Sequence, residues 1–348
     1  MTTSPIATPP GSRSQDNEFT RLLGIERPVI CGAMYPCSNP ELVAAASAAG
    51  GIGIVQPVSL TYVYKHDYRE GLRLIRSLMD RPDRPIGVNM LIEGSNATYR
   101  KRLEQWLDIS LEEGVRFFVT ALGNPRWVVD RVAQVGGVVF HDATNAKHAR
   151  KALDNGVDGF ICVNNRAGGH AGTLTPARLF EELTPLGKPL ICAGGVGSRT
   201  EFEEAMAIGY QGVQMGTRFI ASQEAAAHAD YKDAILAAKA TDIVLTEKIS
   251  GVPVSVINTP YIEKMGLKAG WLARKMLRGR KTKHWMRTFY TIKSAIKLKK
   301  SNLKGASYRD FWQAGKSVER IDRVQSVAEI MDELVGIEST HEHEHHEL

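Results

Sequence analysis

The sequence predicts a (β/α)8 barrel with a second, smaller and mostly helical lobe. Three observations predict it. Eight short apolar runs rich in Val, Ile and Phe recur within about two hundred residues. Amphipathic helical stretches separate them, and alternation of that kind marks a parallel α/β fold. Glycines cluster where the last two runs end, a recurring phosphate site of closed barrels. An open doubly wound sheet is the alternative, but eight regular units favour closure.

The runs are PVICGAM at 28–34, GIGIV at 51–55, PIGVNM at 85–90, RFFVTA at 116–121, GVVFHD at 137–142, DGFICV at 158–163, KPLICAG at 188–194 and QGVQMG at 211–216. Near-continuous hydrophobicity over so few residues suits parallel strands buried on both faces. Helices are expected over 39–50 and 199–209, each ending in Gly, a common terminator. The stretch 91–110 is too long for a plain loop and reads as part of a lobe.

Five segments follow: a disordered tail over 1–17, rich in Pro, Ser and Thr; a barrel over 18–222; a basic accessory lobe or lid over 223–306; a return to the barrel over 307–337 ending in a helix; and a His/Glu tail over 338–348. Within the lobe, 223–240 reads as an Ala-rich helix, and TDIVLTEKISGVPVSVINTP as one or two extended pieces.

Composition bounds the function. The 348 residues are 43% hydrophobic and 24% charged, an ordinary balance for a globular chain. No apolar run approaches the roughly 20 residues that span a bilayer. The N-terminus lacks the apolar core of a signal peptide, so a cytoplasmic protein is expected. Net charge is +6, but residues 264–304 hold fourteen Lys and Arg and no acid, so the basicity belongs to that segment. It reads as a helical lid over the barrel mouth, or as a docking surface for an acidic partner or an anionic membrane. No nucleic-acid motif accompanies it. Cys31, Cys162 and Cys192 fall in predicted strands, where thiols act as small apolar groups; with Cys37 they form no zinc pattern. No His and carboxylate stand at metal-ligand spacing, so no metal is expected.

In a barrel the chemistry sits where strands end. Run seven ends in Gly194 and Gly195, and run eight in Gly216 and Thr217. Such glycines let backbone N–H groups approach a phosphate, and a helix starting near Ser198 adds its dipole. The triphosphatase loop G-x-x-x-x-G-K-[ST] is absent. His170 stands among Ala167, Gly168, Gly169, Ala171 and Gly172, small residues that admit a flat ring near the backbone. Its imidazole is an acid, base or anchor, or an idle loop residue. His141 is read as structural, and His66, His148 and His228 as surface residues.

PVICGAM with the following PELVAAASAAGGIGIV, then PIGVNM, AGGHAG, ICAGGVGS and VQMGTRF, resemble the nitronate monooxygenase (2-nitropropane dioxygenase-like) family. FMN-type enoyl-[acyl carrier protein] reductases and a flavin-dependent NADH:quinone reductase share the barrel and motifs. The resemblance covers roughly residues 20–222, and the order of motifs is specific for the superfamily rather than for one member.

The resemblance implies non-covalent FMN, with Gly32, Ala33 and Met34 lining the ring and Asn89 bonded to it. Gly168 and Gly169 approach it closely. Gly194, Gly195, Gly216 and Thr217 hold the phosphate. His170 becomes the catalytic base or anchor for a nitronate or nitroalkane oxidised with oxygen. An NAD(P)H-dependent reductase of a quinone or enoyl thioester is the alternative. A flavin-binding docking protein with little turnover is the third reading. Two positions depart from the family. Asp142 stands where many members carry Lys, and Arg166 reverses a charge close to the substrate side.

Overall fold

A computed structural model describes residues 16–93, 97–248, 253–267 and 311–337. Eight parallel strands close in sequence order: β1 (Val29–Cys31), β2 (Ile52–Val55), β3 (Gly87–Ile92), β4 (Phe117–Leu122), β5 (Val138–Ala143), β6 (Gly159–Val163), β7 (Leu190–Ala193) and β8 (Gly212–Met215). Closure comes from β1 against β8, with Val29, Ile30 and Cys31 opposite Val213, Gln214 and Met215. Each strand lies inside the run that predicted it or within two residues of its end.

The helices are α1 (Glu18–Leu23), α2 (Pro40–Ala48), α3 (Tyr68–Ser77), α4 (Ala97–Glu112), α5 (Arg126–Ala133), α6 (Ala146–Leu153), α7 (Pro176–Leu183) and α8 (Arg199–Ile208). The stretch expected to belong to a lobe is instead largely α4, a barrel helix burying Leu103, Trp106 and Leu107. Its sequence reads as an insertion because it is unusually long, not because it leaves the ring.

Alternation along each strand sorts the side chains into two cores. Ile30, Ile54, Phe117, Val119, Phe140, Ile161 and Ile191 fill the barrel. Cys31, Val88, Phe118, Cys162, Cys192 and Met215 point outward into the helix layer. The strand cysteines therefore pack, as expected, and burial pushes the Cys192 thiol up to about 12. At the N-terminal end, α1 plugs the barrel: Phe19 is fully buried and its ring lies 5.9 Å from that of Phe140. Asn17, assigned above to the tail, caps this helix and donates from Nδ2 to Gln211 O at 2.8 Å. Only the opposite end is left open for a ligand.

After β8 the chain leaves the barrel. It forms α9 (Thr217–Ile220), α10 (Ala229–Ala237), the antiparallel pair β9 (Ile243–Thr246) and β10 (Val254–Ile257), and α11 (Pro260–Met265). The expected basic helical segment lies outside the described residues from 268 onward. From Phe311 the chain returns across the mouth. Trp312 stacks on Tyr231 with ring centroids 6.0 Å apart, a contact worth about 1 kcal/mol beyond its burial. Arg218, 4% exposed, donates to Arg323 O at 3.1 Å and to Gln325 Oε1. The final helix α12 (Val327–Val335) packs between α2 and α8, completing the ring beside β8.

Candidate active site

The strand ends open into a cavity of about 400 Å³, a size typical of small-molecule sites. All eleven residues assigned above to cofactor binding or catalysis line it: Gly32, Ala33, Met34, Asn89, Gly168, Gly169, His170, Gly194, Gly195, Gly216 and Thr217. Strand alternation explains the polar ones. The inward positions at the top of β3, β5 and β8 are Asn89, Asp142 and Gln214, and all three face the cavity.

One wall is the turn after β7. Gly194 and Gly195 take φ of 117° and 86°, which side-chain-bearing residues rarely adopt. A Cβ at Gly194 would lie 2.5 Å from Ala167 N, and one at Gly195 2.6 Å from the Arg166 stem. Asn164, fully buried, locks this turn to the loop after β6: its Nδ2 donates to Gly194 O at 2.9 Å, while its Oδ1 accepts from Arg166 N–H at 2.8 Å. Arg166 therefore stands at the glycine turn. The Asn164 clamp sets it there by holding the loop after β6 against the end of β7.

Thr217 Oγ1 accepts from Gly315 N–H at 3.0 Å, leaving its own hydroxyl hydrogen to donate to an anion. At the start of α8, Ser198 N–H donates to Glu201 Oε2 at 3.0 Å, so the chain itself satisfies part of that helix end. Sequence reasoning missed the third wall, which Gln313, Gly315 and Ser317 of the returning segment supply. They lie about a hundred residues beyond β8, and no local pattern marks them. Gln214 was legible from the alternation of QGVQMG.

His170 is exposed to the cavity, yet the protein around it lowers its pKa by desolvation. The ring is thus neutral at pH 7, able to accept a proton or a hydrogen bond. Its loop is held on two sides. Gly169 pairs with Ser255 of β10, and a Cβ at Gly168 would lie 2.8 Å from Gly315 N. Cys37 also lines the cavity, with its thiol pushed up to about 12 by burial.

His141 faces away from the cavity, as its structural reading expected. Thr120 Oγ1 lies 2.8 Å from His141 Nδ1 and donates to Phe140 O at 3.1 Å. Both contacts are satisfied together when the hydroxyl accepts from Nδ1–H of the neutral imidazole. Among the described residues no group of three or more His, Cys, Asp or Glu could hold a metal ion. None of their helices is long and apolar enough to cross a membrane.

The closed barrel, the glycine turn and the cavity histidine define a (β/α)8 barrel with a small-molecule site at its mouth, and the family it belongs to makes it an oxidoreductase. The chain belongs to the nitronate monooxygenase family, whose model matches residues 16–336. It is 26% identical over 344 residues to the 5-hydroxy-7a-methyl-1-oxo-octahydro-1H-indene-4-carboxyl-CoA dehydrogenase of Rhodococcus jostii, covering 91% of this chain and 94% of that one. It is 28% identical to the nitronate monooxygenase of Pseudomonas aeruginosa, covering 68% of this chain and 78% of that one. Among solved structures, FabK from Thermotoga maritima superposes with a TM-score of 0.74 at 27% identity, covering 92% and 96% of the two chains.

Proposed function

We propose that this protein is an FMN-dependent oxidoreductase acting on a carbon acid, with alkyl nitronates and nitroalkanes as substrates and oxygen as acceptor. The carrying observation is that the glycine cradle and His170 face one cavity. The residues fit the cofactor. Gly194 and Gly195 bring a glycine turn with positive φ to the cavity, and the cavity wall holds a residue with a buried, unpartnered carboxyl oxygen, Asp142.

Gly194, Gly195, Gly216 and Thr217 would hold the phosphate, and Gly32, Ala33, Met34 and Asn89 would line the ring. Gly168 and Gly169 leave the close approach open. When bound, FMN supplies the redox chemistry, while the protein binds, orients and tunes. Neutral His170 anchors the nitro group or accepts the proton beside it, and the surrounding loop keeps the imidazole directed into the cavity.

A second reading is an oxidoreductase of a thioester with NAD(P)H as co-substrate. It is favoured by the near full-length likeness to a dehydrogenase named for a CoA ester. Anaerobic mixing of the FMN-loaded protein with propionate-3-nitronate, NADH, NADPH and an acyl-CoA, followed by flavin absorbance, separates the two. Bleaching by nitronate alone is expected. Rapid bleaching by a pyridine nucleotide alone would transfer the assignment to the reductase reading.

A further inference from the structure

Asp142 closes β5 with its side chain on the inner face of the barrel mouth. Seven buried side-chain nitrogen or oxygen atoms among the described residues lack a hydrogen-bond partner, and of the residues that carry them Asp142, through its Oδ1, is the one that lines the cavity. An unpaired buried carboxyl costs about 1–3 kcal/mol or more, so such a group at a site is one whose partner arrives with the ligand. The neighbouring strands offer it no charge. β4 presents Val119 and Ala121 to the cavity, and β6 presents Val163.

The other titratable groups lining the cavity are Tyr35, Cys37, Arg166, His170 and Tyr231. His141 on the same strand and Cys162 on β6 point to the outer face. None of these sets the acidity of Asp142. Its carboxyl is pushed up to about 7 by burial alone.

We propose that Asp142 is a ligand of the bound cofactor: its protonated carboxyl donates a hydrogen bond to an acceptor atom of the flavin ring. This rests on the FMN reading above and deepens it. The ring edge carries two carbonyl oxygens and unprotonated nitrogens against one N–H, so a donor has more partners there than an acceptor has. Asn89 and Gln214, the other inward polar side chains at this level, can supply either role. A carboxylic acid can donate only while it keeps its proton. Where a lysine would carry positive charge to the ring, Asp142 delivers a neutral donor instead. Ionisation turns it into a repulsive acceptor, so the cofactor and the proton are linked.

The test is the dissociation constant of FMN for the full-length apoprotein and for Asp142→Asn, read by flavin fluorescence from about pH 6 to 9. The amide keeps a donor and cannot ionise, and comparing the two proteins cancels titration of the FMN phosphate. The ratio of wild-type to variant Kd should rise about tenfold per pH unit above 7. A ratio that stays constant, or falls, would overturn the inference, because the carboxylate would then be a spectator or an acceptor from the ring N–H. Failure of both proteins to bind FMN at any pH would remove the flavin reading itself, and this inference with it.

Discussion

Gly169 and Ser255 exchange two backbone hydrogen bonds: Ser255 N–H donates to Gly169 O at 2.7 Å, and Gly169 N–H donates to Ser255 O at 3.3 Å. A strand of the inserted lobe thereby holds the loop that carries His170. Gly169 has a φ of 66°, so the loop turns sharply just before the imidazole.

Ser255→Pro removes one of these donors at a cost of about 1 kcal/mol. The expected outcome is faster hydrogen exchange over 167–172 and a lower kcat, with FMN affinity retained. Unchanged exchange would show that Gly315 alone holds the loop.

His170→Ala should retain FMN while losing about 10²- to 10⁴-fold in turnover, the usual contribution of a positioned acid or base. Because desolvation lowers the His170 pKa, the acidic limb of the wild-type kcat/KM profile should lie below pH 6.5. Activity that already halves above that value would place the titrating group elsewhere.

Arg166→Glu reverses the charge beside the Gly195 turn. It should weaken FMN by about tenfold or more, since hydrogen bonds to charged groups contribute about 1.5–3 kcal/mol. Riboflavin, which lacks the phosphate, should bind the variant as it binds wild type. Equal loss for both ligands would show a general disruption of the site.

His141 and Asp142 are adjacent and titrate in opposition. Burial lowers His141 from 6.5 to about 4, with a smaller contribution from His148, so its share of stability is lost as pH falls through that window. Burial raises Asp142 from 3.8 to about 7, so its share is lost as pH rises. Between about pH 4 and 6.5 the folded pair holds one proton, on Asp142, and the unfolded pair holds one, on His141, so the two slopes cancel. Asp142→Asn should unmask the histidine. Apoprotein stability, measured by urea unfolding, should then climb by roughly 3 kcal/mol from pH 4 to 6.5. A flat profile in the variant would show that His141 keeps its ordinary pKa.

Much of this molecule can be read locally. A parallel strand buried on both faces writes itself as a short apolar run, and all eight did so. The inward positions follow from alternation once one of them is known, and Asn89 and Gly32, assigned through the family resemblance, fall on the cavity side. Glycines at Gly194 and Gly195 are dictated by backbone angles that other residues avoid. The stretch over 91–110 misled because length alone does not distinguish a long barrel helix from an insertion; burial of Trp106 and Leu107 decides it.

The sequence by itself determined the barrel, the glycine cradle and the presence of a lone histidine among small residues, because each is written in neighbouring residues. Only the tertiary structure decided that Arg166 stands against the Gly195 turn, that Ser255 and Gly315 hold the His170 loop, and that Asp142 Oδ1 is buried without a partner. Those relations join residues many tens of positions apart. They depend on which surfaces meet when the chain closes, and no local pattern records that.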